Sequence, residues 1–105
     1  MSAYVIAIRE RTKSQPDLER YWANVRKSFD GRSCKIVARH GNVEAVEGAQ
    51  PESVIILEFP TMEEAQDWYR SPLYQEVLQY RLAGATYRVL IAEGLEIPIQ
   101  GATLP

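Results

Sequence analysis

At 105 residues, with 46% hydrophobic and 25% charged side chains, the chain has the length and balance of one compact domain with a real core. A net charge of -2 leaves no basic surplus for a polyanion, so nucleic acid is not an expected partner. Residues 1–43 carry nine Lys/Arg against four Asp/Glu and residues 44–105 three against ten, a surface patterning that leaves an acidic-ligand patch open.

Ala3-Tyr4-Val5-Ile6-Ala7-Ile8 is an apolar, β-branched run that reads as a strand covered on both faces. After a polar connector, Ser14 and Pro16 open a helix. Leu18, Tyr21, Trp22, Val25 and Phe29 follow on one face of it, and Asp30-Gly31 ends it. Cys34–Arg39 is the second strand; His40-Gly41-Asn42 reads as a bulge or turn, and Val43–Glu47 resumes an extended pattern up to Gly48. Val54–Phe59 is the third strand, stopped by Pro60. Thr61 and Glu64 then form a capping box for a helix whose inward face is Ala65, Trp68 and Tyr69. Ser71-Pro72 restarts a helix with Leu73, Val77 and Leu78 inward, closed by Gly84. Thr86–Ala92 is the fourth strand, and a tail alternates Leu95, Ile97 and Ile99 around Pro98.

Strand, helix, strand, strand, helix, strand is the ferredoxin-like βαββαβ order: an α+β fold with a four-stranded antiparallel sheet and helices on one face. The first and third strands are apolar at successive positions, so the helix-free face needs a cover as well. A second copy packed sheet to sheet, a dimeric α+β barrel, supplies it. Residues 1–94 form the domain in this reading, and 95–105 an arm that packs on the dimer partner, where Pro98 is tolerated at a sheet edge; the alternative is a tail folded over its own sheet.

Several residues carry the resemblance to a known family: Glu58-Phe59-Pro60-Thr61, Ala65, Trp68-Tyr69, Ser71 and Tyr74-Gln75, with weaker matches at Tyr4–Ala7, Val46-Glu47-Gly48 and Ala92-Glu93-Gly94. From Tyr4 to Gly94 the chain resembles the bacterial domain-of-unknown-function 1330 family of the dimeric α/β barrel superfamily. One position departs from the family pattern: where relatives commonly read Arg-Gly-Gly, this chain has Arg39-His40-Gly41. The family has no agreed reaction. The wider superfamily, with its cofactor-free monooxygenases, haem-degrading enzymes, lactone isomerases and ligand-sensing regulators, implies a small-molecule cavity between sheet and helices; that analogy concerns the fold.

The candidate chemistry is sparse. His40, the single histidine, is a candidate proton shuttle or haem ligand, or else a turn residue. Glu58 interrupts an apolar strand, so it either pairs with Arg39 to hold the hairpin register or moves protons in a pocket where Arg39 binds a substrate carboxylate. Trp68, Tyr69 and Tyr74, facing Tyr21 and Trp22, pack the core or shape a cavity. Ser71 is a helix cap or a ligand contact, and Arg81 complements a helix dipole or binds substrate. Cys34 and His40 stand roughly 20 Å apart along a straight strand, so no metal site is expected. No phosphate-cradling glycine loop is found, so no cofactor is expected either. One cysteine excludes an intrachain disulfide, no apolar run nears the ~20 residues of a membrane span, and the expected setting is cytoplasmic. The functional expectation is a homodimer that binds a small organic acid or lactone-like metabolite, as a cofactor-independent isomerase or monooxygenase; the alternative is a non-catalytic dimerisation or sensing module.

Overall fold

A computed structural model of the chain describes residues 2–39 and 41–95. The elements are β1 (Ala3–Thr12), α1 (Gln15–Asn24), a 3-10 turn (Val25–Phe29), β2 (Lys35–Arg39), β3 (Ser53–Phe59), α2 (Met62–Arg70), α3 (Pro72–Gly84) and β4 (Ala85–Glu93). They build one antiparallel sheet of order β2-β3-β1-β4 with the helices on one face, the ferredoxin-like arrangement. The expectations placed on His40 and on the arm with Ile97, Pro98 and Ile99 fall outside the described residues.

Local chemistry sets the element boundaries. Ser14 Oγ accepts the Asp17 N–H and Pro16 occupies the first turn of α1. The apolar stripe continues past Asn24, but the helix tightens there into the 3-10 turn, so Val25 and Phe29 reach the core from a different geometry than an unbroken helix would give. At α2, Thr61 Oγ1 accepts the Glu64 N–H at 3.1 Å, as a cap should. The other half differs from a capping box, because the Glu64 carboxylate takes the Thr61 hydroxyl proton at 3.2 Å. Ser71 both ends α2 and caps α3, donating to the Trp68 carbonyl and accepting from the Tyr74 N–H.

The extended pattern expected over Val43–Glu47 is not a strand. Gln50 supplies the pairing instead: its side chain accepts from Ala45 N at 2.8 Å and donates to the Val43 carbonyl at 2.6 Å, which leaves the segment an irregular loop. Gly84 does close α3, but without a left-handed turn. Its carbonyl receives the N–H groups of Lys13 at 2.7 Å and Ser14 at 2.9 Å. An added Cβ would stand 2.8 Å from the Leu18 backbone nitrogen, so glycine is needed for close helix approach.

The core lies between helices and sheet, around Phe59, Leu57, Val5, Ala65, Trp68, Tyr74 and Leu78. On the opposite sheet face, Ile6 stands between Ile56 and Leu90, Ile8 beside Val54, and Tyr4 between Glu58 and Ala92. Leu90 is 45% exposed there. Among the described residues nothing covers that row of apolar side chains. Among the described residues no helix is long and apolar enough to cross a membrane.

Candidate functional site

Between α1, the 3-10 turn and α3 on one side and the sheet on the other lies a cavity of about 480 Å³. Its floor is aliphatic, from Val5, Ala7, Ile36, Ile55, Leu57 and Val89. Its roof and sides are aromatic: Tyr21, Trp22, Phe29, Trp68, Tyr74 and Tyr87. Six of the ten aromatic residues in the chain therefore converge on one space.

A β-bulge brings an arginine to the rim. Ile36 pairs with Leu57 and Arg39 with Ile55, with a register shift between Ile36 and Ala38. Positions three apart on a regular strand face opposite ways; the extra residue at Val37 restores Arg39 to the cavity side. Arg39 is exposed, as is Arg26 of the 3-10 turn, and both line the cavity.

The interior cation is Arg81. It sits on the inward stripe of α3 with Tyr74, Val77 and Leu78, and is only 5% exposed. Its guanidinium carbon lies 4.8 Å from the centre of the Tyr87 ring, and its Nε is buried with no hydrogen-bond partner. Among the described residues it forms no ion pair. A cation–π contact is worth about 0.5–2 kcal/mol, against an effective desolvation cost of several kcal/mol for a buried ion. The site is therefore electrostatically incomplete: a buried guanidinium normally has an anion beside it.

Around Arg81 the polar groups are phenols. Tyr21 and Tyr74 share a hydrogen bond at 3.0 Å between their hydroxyls, with rings edge to face. The Tyr21 ring keeps some exposure along the cavity wall, but its hydroxyl is desolvated. That burial, with Tyr74 adding, raises its pKa well above the usual phenol value. Burial likewise raises Tyr87, while Arg9 and Arg81 beside it pull back. Both phenols therefore stay protonated at neutral pH. They can donate to a bound anion, and neither serves as a base.

Arg9 stands opposite Tyr87 across the β1–β4 ladder, just before a second register shift. Its Nε lies 3.3 Å from Glu52 Oε1, and its guanidinium carbon 5.5 Å from the centre of the Trp22 ring. Glu52 also accepts the Thr12 hydroxyl at 2.6 Å. Thr12 first, with Arg9 and Arg11 adding, holds the Glu52 carboxyl below its usual range. Arg9 Nε and Nη1, like Arg81 Nε, are buried without a hydrogen-bond partner, but Arg9 has a carboxylate beside it and Arg81 has none among the described residues.

Trp68 anchors the roof. It is 2% exposed, stacks on Phe29 at 5.0 Å, meets Tyr74 at 4.2 Å, and donates its indole N–H to Ser28 Oγ at 3.0 Å. Ser28 in turn donates its hydroxyl to the Val25 carbonyl at 2.6 Å, so both polar groups of the pair are hydrogen-bonded.

The residues singled out from sequence divide in space. Arg39, Trp68, Tyr74 and Arg81 line the cavity. Tyr69 packs behind it on Trp68 and Tyr74. Ser71 is occupied as the cap between α2 and α3. Glu58 lies on the opposite sheet face and borders a separate surface groove of about 470 Å³ with Ser2, Ser33, Cys34 and Lys35. Its partner is Lys35 at 3.5 Å, not Arg39, because the register sets Lys35 opposite Glu58 and Arg39 opposite Ile55. The Ser2 hydrogen bond first, with Lys35 adding, keeps the Glu58 carboxyl below its usual range. Glu58 and Arg39 do not converge. Cys34, beside that groove, is pushed up to about 11 by burial. Among the described residues no group of three His, Cys, Asp or Glu side chains could hold a metal ion.

Sequence reasoning passed over Arg9, which looked like connector, and Tyr87, which looked like an ordinary strand residue. Arg81 carried a signal: it continues the Tyr74, Val77 and Leu78 stripe, where a charged side chain has no business unless it meets something.

A family model described as "Domain of unknown function (DUF1330)" matches residues 2–95, and the chain belongs to that family. A comparison with curated proteins gives no match. Among solved structures, a protein of unknown function from Rhodopseudomonas palustris, RPA0582, is similar at TM-score 0.70 and 17% identity, covering 91% of this chain and 84% of its own. SnoaB, a cofactor-independent oxygenase from Streptomyces nogalater, is similar at TM-score 0.62 and 9% identity, with 91% and 95% covered. A dimeric ferredoxin-like protein of unknown function from Thermobifida fusca is similar at TM-score 0.60 and 9% identity, with 89% and 91% covered. At these identities the likeness shows the fold alone.

Proposed function

We propose that this member of the DUF1330 family is a homodimer, packed through its open sheet faces, whose sheet–helix cavity binds a small organic acid. The carrying observation is Arg81: a guanidinium 5% exposed, without an ion-pair partner among the described residues, on the wall of an aromatic cavity. A ligand carboxylate supplies the missing counter-charge, with the Tyr21–Tyr74 pair and Tyr87 as further donors and Arg39 and Arg26 drawing the anion to the rim. The unpaired row of Ile6, Ile56 and Leu90 supports the sheet-to-sheet dimer, as does the fold shared with a dimeric protein.

Catalysis without a cofactor is compatible with this architecture, since a neighbour of the same fold is a cofactor-independent oxygenase. One feature favours the second reading, a ligand-sensing module without turnover. The polar groups that the described residues bring to the cavity are guanidiniums and phenols, which serve to hold an anion.

The test is a thermal-shift screen of small organic acids on the parent and on Arg81→Met, with Arg81→Lys as a charge-retaining second variant. An acid at 100 times its Kd should stabilise the parent by about 2.7 kcal/mol. The shift should vanish in Arg81→Met and shrink in Arg81→Lys. Silence from every acid, or equal shifts in all three proteins, overturns the assignment.

A further inference from the structure

We infer that the cavity is built for a fused-ring aromatic carboxylate of two or more rings, buried carboxylate first. The inference rests on the anion-binding reading above and narrows it in three respects: size, wall and polar complement.

Size excludes the smallest acids. About 480 Å³ corresponds to roughly sixteen water volumes of ~30 Å³ each. At interior packing density a single-ring acid takes up roughly a third of that space and two fused rings with a carboxylate under half, so each further ring adds contacts.

The walls favour a flat, rigid guest. Trp22, Phe29 and Trp68 offer indole and phenyl surfaces above an aliphatic sheet floor. Rings gain offset-stacked or edge contacts there beyond the burial of their area. A flexible chain of similar volume would lose rotamer freedom on entry and gain no such contact.

The polar complement is one-sided. Arg81 contributes a guanidinium, which has donors only. Of the two hydroxyls at 3.0 Å, one donates to the other, and the accepting phenol keeps its own proton to give. Tyr87 adds a third hydroxyl. An anion is therefore met by donors, whereas an ammonium, although phenol oxygens could accept from it, would stand beside the Arg81 charge. Among the described residues Arg81 is the guanidinium on the cavity's interior wall, while Arg26 and Arg39 are exposed at the rim. The buried carboxylate is matched by Arg81, and a second charge could be met only at the rim.

Both tryptophans of the chain line the cavity, so their fluorescence reports occupancy directly. The probes are 2-naphthoate, benzoate, decanoate and 2-naphthylmethylamine, with calorimetry for Kd. We expect 2-naphthoate to bind at least tenfold more tightly than benzoate or decanoate, and the amine to leave the emission unchanged. Arg81→Met should weaken 2-naphthoate at least fiftyfold and Arg81→Lys by less, with circular dichroism confirming that each variant is folded. Decanoate or benzoate binding as tightly as 2-naphthoate overturns the ring selectivity while leaving anion binding intact. Tight binding of the amine overturns the charge assignment to Arg81. Silence from every carboxylate overturns the anion-binding reading and this inference together.

Discussion

Gly84→Ala tests how the cavity roof is held. The new methyl carbon would meet Leu18 at 2.8 Å from the backbone nitrogen and 3.0 Å from Cα. Neither atom is the end of a flexible side chain, so α1 or α3 must move. Overpacking of this kind costs about 1–3 kcal/mol, and the better helix propensity of alanine returns up to ~1 kcal/mol. A net loss of about 1–2 kcal/mol lowers the melting temperature by roughly 5–15 °C at ~4–8 °C per kcal/mol. The same displacement strains the bonds from Lys13 and Ser14 to the Gly84 carbonyl and the hydroxyl contact of Tyr21 with Tyr74. Gly31→Ala is the control: its φ of 75° makes alanine unfavourable there, yet nothing stands within 4 Å of the added carbon. Thermal denaturation of both variants, with 2-naphthoate titrated into each, should show Gly84→Ala losing stability and ligand affinity together. Gly31→Ala should lose stability only. If Gly84→Ala melts at or above the parent, α1 and α3 do not touch as described.

Other consequences can be measured separately. Tyr21 has a folded pKa above its unfolded value, so its contribution to stability is complete below about pH 10 and fades as pH rises beyond it. Melting curves from pH 8 to 11.5 should fall beyond pH 10 by up to ~1.4 kcal/mol per pH unit from this group, and less steeply in Tyr21→Phe; equal slopes refute the assignment. Trp68→Phe removes the donor to Ser28 Oγ in a buried setting, and a loss of about 1–3 kcal/mol by urea unfolding is expected; no loss would mean the bond is not made. Ile6→Glu, in the middle of the open sheet face, should convert the proposed dimer to a monomer in sedimentation velocity at micromolar concentration while the fold persists. A parent protein that already sediments as a monomer contradicts the proposed assembly.

The elements were legible because their punctuation is local. Ser14-Pro16, Pro60-Thr61 and Ser71-Pro72 each state where a helix begins, and the apolar runs at Ala3–Ile8 and Val54–Phe59 state which strands are central. The segment Val43–Glu47 misled because alternation alone cannot show that a glutamine several residues on will satisfy the backbone. The pairing imagined for Arg39 and Glu58 missed for a related reason. A bulge at Val37 decides which way Arg39 faces, and nothing in the run Lys35–Arg39 marks it. Arg81 was named for its place near a helix end, yet the informative feature was its place on an apolar stripe. Arg9 and Tyr87 become neighbours only through the β1–β4 register, a relation between residues far apart in the chain.

The most direct measurement is a crystal structure of the protein with whichever carboxylate gives the largest thermal shift. The account predicts the carboxylate oxygens at ~2.7–2.9 Å from the Arg81 guanidinium, with the apolar body against Trp22, Phe29 and Trp68. A carboxylate held instead at the rim by Arg26 and Arg39, an acid bound outside the cavity, or no acid bound at all would contradict it.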